Sequence, residues 1–161
     1  MRKTLLAIIM LLLAGTLLAQ QVTVQLKCAK PDQDHSLPAG DAADHLYDLS
    51  HTTCAYTKPA TLAGVQTKGG GDTIFTDING NRMEWHGVYV ETYSNGDKIY
   101  YRHHGSGTLK NNVFDTGTDY YEVTGGTGKL QGYKGKGSCT IKGNADGSAT
   151  DECSADYTAP K

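Results

Sequence analysis

The sequence predicts an all-β fold, a closed antiparallel β-barrel of about eight strands, with a two-sheet β-sandwich as the alternative. Three observations point there. Short strand-like runs alternate with turn residues along most of the chain, and no long stretch carries helical periodicity. Asn79-Gly80 and Asn95-Gly96 each stand between alternating runs, a strong short-range hairpin signal. Ten Tyr and one Trp outweigh two Phe, and a core of Tyr, Val and Ile suits a pleated sheet better than a helix.

The elements follow in order. Arg2 and Lys3 precede an apolar run at 5–13, small residues continue it to Ala19, and Gln20-Gln21 opens a polar chain. This reads as a secretory signal peptide, residues 1–19, followed by a single domain at 20–161. The uncharged stretch 4–19 is shorter than the roughly 20 residues a membrane span needs, so no stable membrane insertion is expected after cleavage. The expected location is the periplasm or the extracellular space. Without the leader the chain carries 13 basic and 17 acidic residues, net −4. That charge gives no footprint for nucleic acid. Only 20 of those 142 residues are Leu, Ile, Val or Phe, so the core is thin and covalent staples are useful.

Residues 22–26 alternate and read as a strand. Residues 30–44 are polar, with two prolines and a glycine, and read as a long loop. Residues 46–56 and 62–66 are weaker strands, and Gly69-Gly70-Gly71 reads as a flexible turn. Residues 72–78, 83–93, 98–109 and 113–124 form a meander. A glycine-rich stretch at 125–137 leads into a last hairpin that turns at 144–147. Closing such a meander on itself removes its exposed edges.

Four cysteines, Cys28, Cys54, Cys139 and Cys153, in an exported chain predict two disulfides among three pairings. The last hairpin sets Cys139 opposite Cys153, and Cys28–Cys54 follows by elimination. The competing reading of Cys28, His51 and Cys54 as a metal site is disfavoured after export, and no metal is expected.

Asn95-Gly96-Asp97-Lys98, Thr124-Gly125-Gly126-Thr127-Gly128-Lys129-Leu130 with Gly132, and Ala145-Asp146-Gly147-Ser148 resemble a group of small exported bacterial proteins of unknown function. The Gly-Gly-Thr-Gly-Lys stretch is similar to one in the allene oxide cyclase and dirigent barrels. The resemblance spans roughly residues 50–157 and rests on turns and glycines. It implies an eight-stranded antiparallel barrel and carries over no catalytic residue; the cysteines are a departure from the plant enzymes. Gly126-Thr127-Gly128-Lys129 is not a phosphate loop, because Val123 and Leu130 stand where a glycine and a Ser/Thr are required.

Taking Asn95-Gly96 as a two-residue loop places Glu84, His86, Val88, Val90 and Thr92 on one face with Ile99, Tyr101, His103 and Gly105. This face has the better aliphatic centre and is expected inside. Met83 and Trp85 then point outward unless a bulge at His86-Gly87 returns them. His86 and His103, with Glu84 nearby, form the candidate metal or acid–base group. Glu91, Lys98 and Arg102 form an exposed charge ladder on the other face.

The leading expectation is a non-catalytic barrel that binds a small apolar or aromatic ligand through His86, Val88, Val90, Tyr101 and His103, without a cofactor. Two alternatives stay open. One is an envelope or extracellular interaction protein with a filled interior. The other is a cyclase- or isomerase-like enzyme on the same barrel, with no catalytic residue assigned.

Overall fold

The computed structural model describes residues 19–161; the leader expected at 1–19 lies almost wholly outside the described residues. Among the described residues there are ten strands: β1 (Gln20–Cys28), β2 (Gln33–Pro38), β3 (His45–Lys58), β4 (Thr61–Leu62), β5 (Val65–Asn79), β6 (Arg82–Tyr93), β7 (Lys98–Lys110), β8 (Val113–Gly126), β9 (Lys134–Gly143) and β10 (Ala149–Thr158). Eight of them, β1, β3, β5, β6, β7, β8, β9 and β10, pair in that order and close through β10–β1, all antiparallel. The fold is therefore the closed barrel, with β2 and β4 as two additional strands.

In this up-and-down order the connections alternate between the two ends. Residues 59–64, 94–97 and 127–133 gather at one end, where Leu62 from β4 and Leu130 from a 3-10 turn (Gly128–Leu130) are 2% and 0% exposed and plug the barrel. Residues 29–44, 80–81, 111–112 and 144–148 form the other rim.

Several local expectations are corrected. The loop at 30–44 contains β2, which pairs with the first half of β3. Residues 62–66 are not one strand: Ala63-Gly64, both with positive φ, turn the chain from β4 into β5. Gly69-Gly70-Gly71 is not a turn but the middle of β5, paired on both sides. Its glycines answer to distant neighbours, since a Cβ on Gly69 would lie 2.7 Å from the Cys54 carbonyl oxygen and one on Gly70 would enter the Tyr89 ring.

The most consequential correction lies at Asn95-Gly96. The Tyr93 amide donates to the Asp97 carbonyl, the Gly96 amide donates to the Tyr93 carbonyl, and Gly96 has φ +87°. This is a type I turn closed by a left-handed glycine, a three-residue loop rather than a two-residue one. Thr92 therefore faces Lys98 and Glu91 faces Ile99. One residue of slip exchanges the two faces of β6 while leaving β7 as expected. Trp85, Tyr89, Glu91 and Tyr93 point inward beside Ile99, Tyr101 and His103, whereas His86, Val88 and Val90 lie on the outer wall. Pairing runs unbroken through Gly87, so no bulge is needed to bring Met83 and Trp85 inside.

Gly87 matters for another reason. A Cβ there would lie 2.5 Å from both His103 Nε2 and the Thr73 carbonyl oxygen, so the imidazole lies directly on the β6 backbone. Gly87→Ala is expected to cost about 1–3 kcal/mol by overpacking, read as a lowered midpoint in chemical denaturation. A neutral result would show that both His103 and the β5 backbone at Thr73 give way.

Candidate functional site

The barrel encloses a cavity of about 310 Å³ that runs from beneath the plug out to rim residues Pro31, Met83 and Gly147. Its wall is contributed by every barrel strand, because the period of two delivers alternate side chains inward. Tyr56, Tyr89, Tyr101, Tyr121 and Trp85 are among its aromatic lining residues, and Val24, Leu26, Ile74 and Ile141 among the aliphatic ones. Both disulfides also line it. Cys28 pairs directly with Cys54 and Cys139 with Cys153, each with a Cα–Cα distance of 4.0 Å. The pairing expected from the sequence is the one present. With its cysteines bridged and His51 held by Asp32 at 3.0 Å, the alternative metal set is not assembled.

Two polar groups interrupt the apolar wall. The deeper one centres on Glu91, 3% exposed. Tyr56 donates a very short hydrogen bond to its carboxylate, and Tyr93 and Tyr101 donate at 2.8 and 2.5 Å. Tyr101 and Tyr157 hydroxyls meet at 2.8 Å. Burial raises the Glu91 carboxyl, and the three phenols partly oppose that rise. The tyrosines themselves are pushed upward by burial and then by the Glu91 charge, so they remain neutral donors. Glu91 is thus no part of a charge ladder with Lys98 and Arg102. Those two stay on the outside, where Arg102 pairs closely with Glu122.

The second group lies nearer the rim. His103 bridges two carboxylates, Asp72 through Nε2 at 2.9 Å and Asp119 through Nδ1 at 3.0 Å. Asp119 also accepts from the Trp85 indole at 2.7 Å. Burial disfavours the charged imidazole, but the bonds to Asp119 and Asp72 outweigh it and raise the group to about 10. His103 is an imidazolium with both N–H groups occupied.

Asp151 on β10 completes this group and is the least satisfied residue in it. Its Oδ1 is buried without a hydrogen-bond partner. Its Oδ2 lies 3.7 Å from Cys28 Sγ, a disulfide sulfur with no proton to donate. Burial, followed by the charges of Asp72 and Asp119, pushes this carboxyl up to about 7, and His103 pulls it back only in part. Facing it across the lumen, the Tyr89 hydroxyl also lacks a partner in hydrogen-bonding geometry.

Of the sequence-predicted ligand-binding residues, the structure brings Tyr101 and His103 into the cavity and leaves His86, Val88 and Val90 outside it. His86 pairs across the strands with His104, not with His103, and Glu84 is exposed. The residues missed by sequence reasoning are Asp72, Asp119 and Asp151, while Glu91 was singled out but placed on the outer face. Single acidic residues in strands carry no signal until the register is known.

No family model matches the sequence, and no curated protein matches it. Similar folds occur among solved structures. The pterocarpan synthase dirigent protein GePTS1 superposes with a TM-score of 0.56 at 12% identity, covering 89% of this chain and 91% of that one. The pterocarpan synthase dirigent protein PsPTS1 does so with a TM-score of 0.52 at 11% identity, covering 89% and 96%. A DUF3224-family protein of unknown function from Shewanella oneidensis gives a TM-score of 0.45 at 13% identity, covering 85% and 96%. The chain therefore has the barrel fold of dirigent proteins, reached with a largely different sequence.

Proposed function

We propose that this protein is an exported barrel that binds one small, partly apolar ligand in its lumen. The observation that carries this reading is the cavity of about 310 Å³. That is the lower end of the size range of small-molecule sites, which combine an apolar wall with a few convergent polar groups. A barrel of eight strands either fills with side chains or holds one ligand. Here the side chains leave space, and Asp151 and Tyr89 present unpaired polar atoms beside it. Two disulfides fit an oxidising compartment, in keeping with an exported protein.

A second reading, an interaction protein working through its outer wall, draws on a band of exposed apolar residues. Leu49, Phe75 and Tyr120 are 50%, 38% and 53% exposed, and they share one outer row with His86 and His104.

The neutral dye N-phenyl-1-naphthylamine separates the two. Its emission is expected to rise on binding, and Trp85, the single tryptophan, is expected to change emission with it because it lines the cavity. Ser50→Phe, which puts a ring into the lumen, is expected to weaken binding at least tenfold. Dye binding indifferent to Ser50→Phe and silent at Trp85 would move the site to the outer wall.

A further inference from the structure

The lumen is one-sided in charge. Asp48, Asp72, Glu91, Asp119 and Asp151 line it, and among the described residues that do so no Lys or Arg is present. The single basic lining group is His103, and both of its nitrogens are already engaged by Asp72 and Asp119. An anionic ligand would find no free cationic donor and would meet the unpaired carboxyl of Asp151. A cation would find the reverse. Asp151 has neither oxygen paired to a donor, and the rings of Tyr89, Tyr121 and Trp85 line the same cavity. An ammonium group placed there gains a carboxylate partner and the negative faces of the rings, each attraction strengthened by exclusion of water.

We infer that the ligand of this barrel is a cationic amphiphile, a small organic amine whose ammonium group docks on Asp151 while its apolar body lies along the tyrosine wall. The inference rests on the proposal that the lumen binds a ligand, and it adds the ligand's chemical class. The acidic interior then has a purpose that a neutral apolar ligand would not supply. Carboxylates gathered in a thin core repel one another and oppose folding, whereas a bound cation compensates them. Asp151 titrates among Asp72 from β5, Tyr89 from β6, His103 from β7 and Asp119 from β8; its neighbours on β1 and β9, Cys28 and Ile141, carry no charge. Below neutrality its carboxyl holds a proton and the ammonium loses its partner.

A matched series tests this on the full exported chain: 2-naphthylmethylamine, 2-naphthylmethanol and 2-naphthoate, titrated by calorimetry. At pH 8 the amine is expected to bind at least tenfold tighter than the alcohol, with the carboxylate weakest. The amine's affinity is expected to fall severalfold between pH 8 and pH 6 while the alcohol's stays level. Asp151→Asn, its fold checked by near-UV circular dichroism, is expected to abolish the amine's advantage and leave the alcohol bound. Asp151→Glu is expected to retain part of that advantage. If alcohol and amine bind equally, or if Asp151→Asn keeps the preference, the cation inference fails while the lumen reading stands. If none of the three binds, both fail.

Discussion

Reduction of both disulfides is expected to remove roughly 6 kcal/mol of stability. In the chain-entropy model, closing the loops between Cys139 and Cys153 (separation 14) and between Cys28 and Cys54 (separation 26) contributes about 3 and about 3.5 kcal/mol. Domains of this kind have only about 5–15 kcal/mol in total, so the loss approaches the whole. Position adds to the effect. The barrel closes where β1 meets β10, pairing Gln20 with Tyr157 across nearly the whole chain. One bridge ties β1 to β3 and the other ties β10 to β9, so they flank this seam. Pairing between such distant segments bears the largest loop-closure cost, and the bridges hold its two sides ready. The expected readout is a melting temperature lower by roughly 12–25 °C in reductant. The two double Cys→Ala variants are each expected to show about half the loss. A loss below about 1 kcal/mol for both would show that sheet pairing closes the barrel without staples.

The second large effect is the dependence of stability on pH, and here the two central groups act in the same sense over different windows, each losing stability as pH rises. His103 stands near 10 in the folded protein against 6.5 unfolded. Its stabilisation is complete below pH 6.5 and disappears as pH rises through 10, a change of about 5 kcal/mol. Asp151 stands near 7 against 3.8. Because its value is raised rather than lowered, the fold prefers the neutral acid. Stability from this group is intact below pH 3.8, erodes up to pH 7, and above that the buried carboxylate costs about 4 kcal/mol relative to the solvated one.

Urea denaturation of Asp151→Asn is therefore expected to show a gain of several kcal/mol at pH 8 and little change at pH 4. His103→Gln leaves Asp72 and Asp119 without their cation and is expected to lose about 3–5 kcal/mol at pH 7. A destabilised Asp151→Asn at pH 8 would mean that the carboxylate has a stabilising partner in the folded state. A buried group that opposes folding and faces a cavity is what a ligand site built ahead of its ligand requires.

The two bridges show which features were legible in the chain. Cys139 and Cys153 sit fourteen residues apart around a tight turn, so local geometry alone sets them opposite one another. The meander was legible for the same reason, since turn residues act within a few positions of themselves; its closure was expected from the number of short strands and from the resemblance of its glycine motifs. The inner face of β7, with Ile99, Tyr101 and His103, was placed correctly, although Val88 and Val90, which helped to choose that face, lie on the outer wall.

The face of β6 did not follow. It depended on whether Gly96 closes a two- or a three-residue loop, and both loops tolerate Asn-Gly. Only the packing of Trp85, Tyr89 and Glu91 against the rest of the barrel selects the longer one. Gly69-Gly70-Gly71 misled in the same way, because those glycines answer to Tyr89 and the Cys54 carbonyl rather than to a local turn. The all-β class, the meander and the Cys139–Cys153 bridge were thus written in short-range chemistry, whereas closure joins β1 to β10 across nearly the whole chain. Which carboxylates share the lumen was decided by the tertiary structure, because strand register is a long-range choice and one residue of slip turns every side chain of a strand to the other side.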